Sequence, residues 1–474
     1  MTKSVHIVTF FIFVLFATTT KAQEYYSSER MSLDTRYYDE FSPAYFRNGL
    51  VFCSNRKNDL FITYKDTTDR ALISYFFVER KDSLKWGSPR SLALNEKTQQ
   101  GPLVFTADGN KVFFTRSYDV PKGFLKKQQD NTKLGIFIAS VNGDNFGQPI
   151  PFAFNDKDYN VMHPAVNENG TELVFASDQP GGYGGFDLYI SRMVNGRWTT
   201  PQNLGKEVNT KEHEAFPYFH SSGRLYYASK GHNSQGGFDI FYTQLIDDEW
   251  SRPVHLSTPF NSKNDDFSFI AADDMQEGFF SSNRENSDDI FHFTSTLPLF
   301  TECKEQEENN YCYVFFDQTA ARLDSAATFV YQWDLGDGTV VPGDTVEHCF
   351  AGPGVYIVQL NVVDTLTNEV SRNQASYMLE VEDVEQAYLT APDTASVGQE
   401  ISFNGTKSYL KRNQVKQYYW DFGDGYHATG QSTQHSFRLP GTYRIKLGII
   451  ATDPQSENEV KYCSWRNITI TPDN

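Results

Sequence analysis

The sequence has few cysteines, and they are not arranged as metal ligands. Its 474 residues contain five: Cys53, Cys303, Cys312, Cys349 and Cys463. Five cysteines are too few for a disulfide-based scaffold, and without a Cys-x-x-Cys motif no zinc or thioredoxin-type site is expected. One or two disulfides would be compatible with export. Cys303–Cys312 and Cys312–Cys349 are the candidate pairs, and the odd number leaves at least one free thiol.

Positive charge is also scarce. Lysine and arginine total 42 against 60 aspartates and glutamates, which gives a formal net charge of −18. A chain with this charge repels phosphate groups, so nucleic acid and anionic lipid surfaces are disfavoured as partners.

Long apolar runs are absent except at the start of the chain. One run covers about residues 7–17, after Lys3 and before the small residue Ala22. Because it is shorter than the roughly 20 residues of a membrane span, it predicts a secretory signal peptide over residues 1–22. We therefore expect an exported protein that is not an integral membrane protein.

Common catalytic signatures are missing as well. The sequence has no Gly-x-Ser-x-Gly, Walker A or His-Glu-x-x-His motif. His213 and His220 do not suggest a zinc site, because Pro217 interrupts the helix that two such ligands would need. Paired carboxylates at 247–248, 265–266, 273–274 and 288–289 fall in repeated turns or strand starts, where such residues act as caps. The sequence thus predicts no enzyme and no cofactor.

An internal repeat dominates the first 300 residues. An aromatic residue, a proline and an apolar residue recur at fixed spacing in WGSPRSL, FGQPIPF, WTTPQNL and WSRPVHL, which start at Trp86, Phe146, Trp198 and Trp250. In phase with them run NDLFI, LGIFI, FDLYI, FDIFY and DDIFH, and apolar strands such as LVFCSNR and ELVFASDQ. Five units are visible, and the repeat decides how every motif within it is interpreted.

Each unit contains four short β-rich runs separated by turn residues, with almost no helical periodicity. Four strands repeated at about 50 residues are typical of β-propeller blades, since one such sheet cannot bury both faces alone. We predict an all-β protein with an N-terminal five-bladed propeller over residues 23–297, and six blades as the alternative. Residues near 25 to 34 should complete the last blade.

These linked motifs resemble the TolB-like, WD40-like propeller repeats of bacterial envelope proteins over about residues 30–297. In Bacteroidota, such propellers are often attached to OmpA-like peptidoglycan-binding domains or belong to the type IX secretion and gliding machinery. No OmpA-like segment is apparent in this sequence. The resemblance implies a place in the cell envelope, near outer-membrane or type IX secretion machinery. Because no C-terminal sorting domain is apparent, we expect the periplasm or the periplasmic face of the outer membrane rather than the cell surface.

The rest of the chain repeats a second signature after a polar linker at 298–307. YQWDLGDG and YYWDFGDG are each followed by His-x-Phe, Pro-Gly-x-Tyr and a strand of alternating pattern. Residues 308–382 and 385–472 resemble PKD domains, which are immunoglobulin-like β-sandwiches. Some PKD domains bind calcium, and calcium is the one cofactor that the resemblance leaves open.

The residues of this signature are expected to be structural. Trp333 and Trp420 should fill the two cores, whereas Asp337-Gly338 and Asp424-Gly425 should form turns. His348 and His435 are expected to be hydrogen-bonded structural residues.

Loop length points to a binding face of the propeller. Loops such as SDQPGGYGG and SKGHNSQGG are long and polar, whereas the loops at the other end of each unit are tight turns such as NENG. Recognition concentrates on long loops of a rigid scaffold, so we expect the long-loop face to bind a partner. The residues predicted for that face are Arg56, Arg116, Tyr183, His213, His232 and Arg284.

Two functions are consistent with these features of the sequence. The first is a non-enzymatic scaffold or adaptor of the cell envelope, which binds one or more envelope proteins, such as outer-membrane or secretion components, through the long-loop face. The alternative is an exported protein that binds or degrades polysaccharide.

Overall fold

The computed structural model describes residues 25–33, 37–56, 71–82, 85–92, 94, 98–118, 132–246, 249–317 and 328–472. These residues form strands and turns, and they include no helix long and apolar enough to cross a membrane. The prediction of an all-β protein is therefore confirmed. The predicted signal peptide, the NDLFI copy at Asn58 and the carboxylate pair 247–248 lie outside the described residues. Two compact units divide the chain after Pro298.

The described residues of the first unit form five separate antiparallel sheets, numbered here in chain order. A short first strand, β1 (Tyr26–Arg30), precedes them. Sheet 1 has β2 (Glu40–Phe46), β3 (Gly49–Ser54), β4 (Ser74–Glu79) and β5 (Arg90–Ser91). Sheet 2 has β6 (Gln100–Phe105), β7 (Lys111–Ser117), β8 (Leu134–Asn142), β9 (Asn145–Phe146) and β10 (Ile150–Pro151).

Sheets 3 and 4 repeat this plan. Sheet 3 has β11 (Val161–Val166), β12 (Glu172–Ser177), β13 (Asp187–Val194), β14 (Arg197–Trp198) and β15 (Gln202–Asn203). Sheet 4 has β16 (Glu214–Phe219), β17 (Arg224–Ser229), β18 (Asp239–Ile246), β19 (Glu249–Trp250) and β20 (Val254–His255).

Sheet 5 combines three strands from the end of the first unit with one strand from its start. It has β21 (Asp266–Ala271), β22 (Glu277–Ser282) and β23 (Asp289–Ser295). Its fourth strand is β1, which pairs with β23 from Tyr26↔Ser295 to Arg30↔Phe291. The predicted pairing of residues near 25 to 34 with the last unit is confirmed.

Apolar side chains fill five interfaces between successive sheets. Side chains alternate along a strand, so Phe113 packs toward sheet 3 while its neighbour Phe114 packs toward sheet 1. In the same way Phe280 packs toward sheet 4 and Phe279 toward sheet 1. The first strands β2, β6, β11, β16 and β21 contact one another in that order, and β21 also contacts β2.

The second unit contains the two sandwiches. It begins with β24 (Lys304–Glu305). The first sandwich has β25 (Cys312–Phe316), β26 (Phe329–Asp334), β27 (Val340–Pro342), β28 (Thr345–Cys349), β29 (Gly354–Asp364) and β30 (Val370–Val381). The second has β31 (Thr394–Ser396), β32 (Ile401–Asn404), β33 (Gln414–Asp421), β34 (His427–Thr429), β35 (Ser432–His435), β36 (Gly441–Thr452) and β37 (Glu459–Thr471).

Part of the segment predicted as a linker belongs to the second sandwich. Strand β24 pairs in parallel with β37, with Lys304 opposite Ser464 and Glu305 opposite Trp465. This pairing brings Cys303 to Cys463, and the two form a disulfide. The first sandwich is therefore inserted between β24 and the rest of the sheet that β24 joins.

The disulfides decide between the predicted pairs. Cys312–Cys349 joins β25 to β28, and this prediction is confirmed. Cys303–Cys312 is wrong, because β24 places Cys303 beside β37. Cys53 is a free thiol buried in sheet 1, where burial raises its pKa.

Candidate functional site

A cavity of about 970 Å³ lies in the first unit, among the first strands of the five sheets. Its outer part is formed by the short turns that follow these strands, including those at Asp108, Asn169, Ser221 and Asp273. The long loops around Tyr183 and His232 do not contribute to it. The cavity thus opens at the short-turn end, opposite to the face that the sequence analysis favoured.

A β-bulge in each first strand shapes the inner end of the cavity. The register of pairing shifts there in all five sheets. Ser42, His163, Phe216 and Ser268 occupy equivalent bulge positions with φ of 51°, 56°, 52° and 53°. Left-handed φ is unusual for residues other than glycine, and a bulge of this kind re-aims a side chain. All four residues line the cavity.

Sequence reasoning missed these positions, although the repeat carried a signal for them. A proline follows the bulge residue in four sheets, at Pro43, Pro102, Pro164 and Pro217. Proline lacks a backbone N–H and is confined to edges or bulges of sheets. A recurring proline inside a predicted first strand therefore indicates a bulge.

Aromatic rings pack across the inner end. His163 stacks on Phe216 with ring centroids 4.1 Å apart, and Phe216 lies 4.7 Å from Phe267. Phe267 in turn lies 6.3 Å from Phe41. These rings come from sheets 3, 4, 5 and 1. His163 and Phe216 line the cavity and the other two rings pack behind them, and we call this row of rings the floor.

Two polar groups lie at this floor. The hydroxyl oxygens of Ser42 and Ser268 are 2.7 Å apart and hydrogen-bond each other. Burial lowers the pKa of His163 to about 3, so its imidazole is neutral at physiological pH. Its Nδ1 atom is buried and has no hydrogen-bond partner in the described part of the chain.

The rim carries charges of both signs with carboxylates in excess. The lining includes four carboxylates, Asp108, Glu168, Glu172 and Asp273, and two arginines, Arg47 and Arg192. Both arginines pair with carboxylates, Arg47 with Asp144 at 2.8 Å and Arg192 with Glu172 at 2.9 Å. A hydrogen bond from Thr106 lowers the pKa of Asp108 below its ordinary value, so this carboxylate is ionised.

Aromatic and amide side chains complete the lining. The rings include those of Tyr45, Phe105, Tyr218 and Trp250, and the amides are those of Asn110, Asn142, Asn167 and Asn169. Ring faces offer apolar contact, while amides and carboxylates offer both donors and acceptors. Chemically, the cavity suits a ligand with apolar faces and many hydroxyl groups.

Three of the residues predicted for partner binding are arginines with contacts inside the chain. Arg56 pairs with buried Glu40 at 2.8 Å, and Arg284 pairs with buried Asp266 at 2.5 Å. The guanidinium carbon of Arg116 lies 3.8 Å from the centroid of the Phe137 ring. These contacts give the arginines a structural role and hold them away from the cavity.

The predicted histidines are engaged as well. His213 Nδ1 accepts a hydrogen bond from the Phe186 N–H at 3.1 Å, and His232 Nε2 donates to the Val208 carbonyl at 2.8 Å. Tyr183 differs, because 52% of its surface is exposed. Its loop is fixed by Asp187, whose carboxylate accepts the N–H of Tyr183 at 2.6 Å. Binding of a partner by these residues stays a prediction.

The two PKD signatures occupy equivalent places in their sandwiches. Trp333 and Trp420 are buried and donate their indole N–H to the carbonyls of Gly343 and Gly430, at 3.0 and 2.8 Å. His348 contacts Asp337, and His435 contacts Asp424, each at 2.7 Å. Gly338 and Gly425 have φ of 92° and 88°, which their turns require. No group of metal-binding side chains is found within the described ranges.

Comparison with known proteins identifies the class of the second unit. The PKD domain family matches residues 298–381 and 384–462, so the chain contains two PKD domains. Collagenase ColA of Clostridium perfringens is 31% identical over 107 residues, which are 22% of this chain and 9% of the collagenase. Human polycystin-1 is 26% identical over 145 residues, 30% of this chain and 3% of polycystin-1. The chain therefore spans less than a tenth of these relatives.

Solved structures give weaker likenesses. An α-L-arabinofuranosidase from Lactobacillus brevis covers 54% of this chain and 90% of its own, with 14% identity and a TM-score of 0.34. The match to an exo-β-1,3-galactanase from Clostridium thermocellum covers 93% of this chain and 99% of the galactanase, with 8% identity and a TM-score of 0.35. At TM-scores below 0.5, these likenesses assign no activity to this chain.

The comparisons nevertheless correct one prediction. The expectation that the protein is not an enzyme rested on missing sequence motifs. It is wrong as stated, because the similar solved structures are mainly glycoside hydrolases and peptidases. The absence of familiar motifs does not exclude catalysis, since catalytic groups are recognised by geometry and role rather than by sequence position.

Proposed function

We propose that the first unit is a five-bladed β-propeller of the TolB-like kind, with each sheet as one blade. Five sheets with five apolar interfaces support this proposal, as does the contact of β21 with β2. Strand β1 would then close the ring by completing the last blade. In this arrangement the cavity lies on the propeller axis.

We propose further that the protein is exported and binds polysaccharide in this cavity. The lining of aromatic rings, asparagine amides and carboxylates is the observation that carries this proposal. Sugar rings have apolar faces that pack on aromatic side chains, and their hydroxyl groups need donors and acceptors together. A volume of about 970 Å³ lies in the range of small-molecule sites.

The same cavity leaves room for hydrolysis of the bound glycan. Glycosidases generally use a pair of carboxyl groups on either side of the scissile bond. Asp108, Glu168, Glu172 and Asp273 are the carboxylates available at the rim. The PKD domains would then be accessory modules that hold the propeller near its substrate.

A binding assay with a cavity variant tests this function. The mature protein should bind at least one neutral polysaccharide in affinity electrophoresis. Tyr45→Ala should weaken this binding about 10-fold, because the Tyr45 ring lines the cavity and is partly exposed. Tyr377→Ala, an exposed tyrosine of the first PKD domain, is the matched control and should bind normally. Product analysis of the same mixtures shows whether the glycan is also cleaved. Equal binding by both variants would place any glycan site outside the cavity.

A second function keeps the long-loop face as a docking surface for an envelope protein. The exposed Tyr183, on a loop fixed by Asp187, favours it. Crosslinking in envelope fractions should capture a partner with the natural chain and lose it with Tyr183→Ala. Capture that is unchanged in the variant would remove Tyr183 from that surface.

A further inference from the structure

The inner end of the cavity is closed by side chains. The rings of His163, Phe216, Phe267 and Phe41 pack one against the next across four sheets. Beside them, the hydrogen bond between Ser42 and Ser268 joins sheets 1 and 5. The cavity lining includes no described residue of the long loops around Tyr183 and His232, so among the described residues a polymer has no path through the floor toward the long-loop face. Only the end of a chain, or a side branch, can reach it.

The polar group at this floor has unused hydrogen-bonding capacity. His163 makes ring contact with Phe216, but neither of its ring nitrogens is hydrogen-bonded within the described part of the chain. A neutral imidazole has one donor and one acceptor nitrogen. A hydroxyl group is also both donor and acceptor, so the two are complementary. A buried polar atom without a partner is costly, and a ligand hydroxyl would relieve that cost.

The charge around the cavity selects among sugars. Four carboxylates and two arginines line it, and both arginines are already paired with carboxylates. His220 adds no positive charge, because burial lowers its pKa. A glycan that carries carboxylate groups would be repelled, whereas an uncharged glycan would not be.

From these three observations we infer that the cavity takes the terminal unit of an uncharged saccharide chain, with His163 as the binding residue at its floor. This inference rests on the proposed glycan-binding function. It specifies that a terminal unit of the glycan binds, that the glycan is uncharged, and that His163 contacts it. His163 acts by direct contact with a hydroxyl of the terminal unit.

Calorimetric titration of the mature protein with defined hexasaccharides tests the inference. The probes are linear hexasaccharides of glucose, xylose, galactose and mannose. Each is used in three forms: with both ends free, with a bulky group on the non-reducing end, and with a bulky group on the reducing end. Hexagalacturonic acid is the acidic probe. We expect binding of at least one neutral probe, loss of binding when one of its two ends is blocked, and no binding of hexagalacturonic acid.

His163→Phe tests the floor residue. Phenylalanine keeps the ring contact and removes both nitrogens, and Phe216 shows that this residue type fits the bulge conformation. Loss of one hydrogen bond between neutral groups should weaken binding about 3- to 10-fold with an unchanged melting temperature. His427→Phe, in the second PKD domain, is the matched control and should bind normally.

The outcomes separate the two levels of the proposal. If no glycan binds to the protein at all, the proposed function fails. If a hexasaccharide binds equally well with either end blocked, the protein binds glycan but the terminal-unit inference is overturned. Equal binding of hexagalacturonic acid overturns the charge class, and full affinity of a normally folded His163→Phe protein removes His163 from the site.

Discussion

At the residue scale, buried acids at strand starts explain why several arginines recur in the repeat. Glu40 and Asp266 open the first strands of sheets 1 and 5 and are fully buried. Each is satisfied by an arginine two residues after a serine, in Ser-Asn-Arg at Arg56 and at Arg284. Sheet 4 replaces the arginine with hydroxyl groups, because Glu214 accepts hydrogen bonds from Ser229 at 2.6 Å and Thr210 at 2.7 Å.

Removing one of these arginines should destabilise the first unit. Arg284→Met leaves Asp266 buried without its cationic partner, which typically costs about 3 to 5 kcal/mol. Urea unfolding should show this loss, and the double variant with Asp266→Asn should recover much of it. Arg47→Met removes an exposed ion pair and should change the free energy of unfolding by less than about 1 kcal/mol. A stable Arg284→Met protein would refute a structural role for the pair.

Asp288 should make stability fall as the pH rises. Burial, together with the nearby Asp39, Asp265 and Asp289, raises its pKa from 3.8 to about 6. The folded state therefore holds the proton more tightly than the unfolded state, and stability is lost between about pH 4 and pH 6. Asp288→Asn should raise the free energy of unfolding at pH 7 by at most about 3 kcal/mol, with little gain at pH 4.

Unfolding curves of both proteins from pH 4 to pH 8 show whether the gain in free energy of unfolding grows with pH, as expected. Asp158→Asn, an exposed carboxylate of the same unit, should leave the profile unchanged. A gain from Asp288→Asn that is largest at pH 4 would contradict the assignment.

At the element scale, the two-residue strand β24 ties the start of the second unit to its last strand. It pairs with β37 beside the bond between Cys303 and Cys463, which are 160 residues apart. The first PKD domain is thereby enclosed in a covalent loop. The other disulfide, Cys312–Cys349, encloses a separation of only 37 residues within one domain.

Opening the larger loop should weaken the second unit. A disulfide restricts the unfolded chain, and more so when it closes a longer loop. The double variant Cys303→Ser with Cys463→Ser should therefore lower the free energy of unfolding by about 2 to 5 kcal/mol, and Cys312→Ser with Cys349→Ser should lower it less. Calorimetry of both double variants checks this order. An unchanged transition after loss of Cys303–Cys463 would show that β24 is held by other contacts.

At the scale of the whole molecule, the chain consists of two units with separate cores. The apolar clusters of the first unit contain residues up to Phe293, and those of the second contain only residues after Cys303. Each unit thus has its own apolar core, which is what independent folding requires.

Separate expression tests this division. Residues 23–298 and 299–472 should each unfold cooperatively, at temperatures close to the transitions of the intact chain. The second unit must include β24, so a fragment that starts at residue 308 should be less stable than one that starts at 299. Failure of the 299–472 fragment to fold would contradict two independent cores.

The local architecture could be predicted from the order of the residues. Alternation of apolar and polar residues predicts strands, because side chains on a strand alternate between two faces. The recurring Trp-Asp-x-Gly-Asp-Gly segment predicted the PKD sandwiches, since a buried tryptophan and a glycine turn are requirements of each domain separately. These features depend on residues close together in the chain.

Which distant residues meet depends on how the sheets pack and could not be predicted. Ser42 and Ser268 share a hydrogen bond across 226 positions, and the pairing of Cys303 depends on where β37 lies. The sequence did not reveal that buried acids engage Arg56 and Arg284, and it did not reveal the floor built around His163. Such contacts arise from packing between sheets. The alternation within a strand shows which face a side chain lies on, but not which distant residue it meets there.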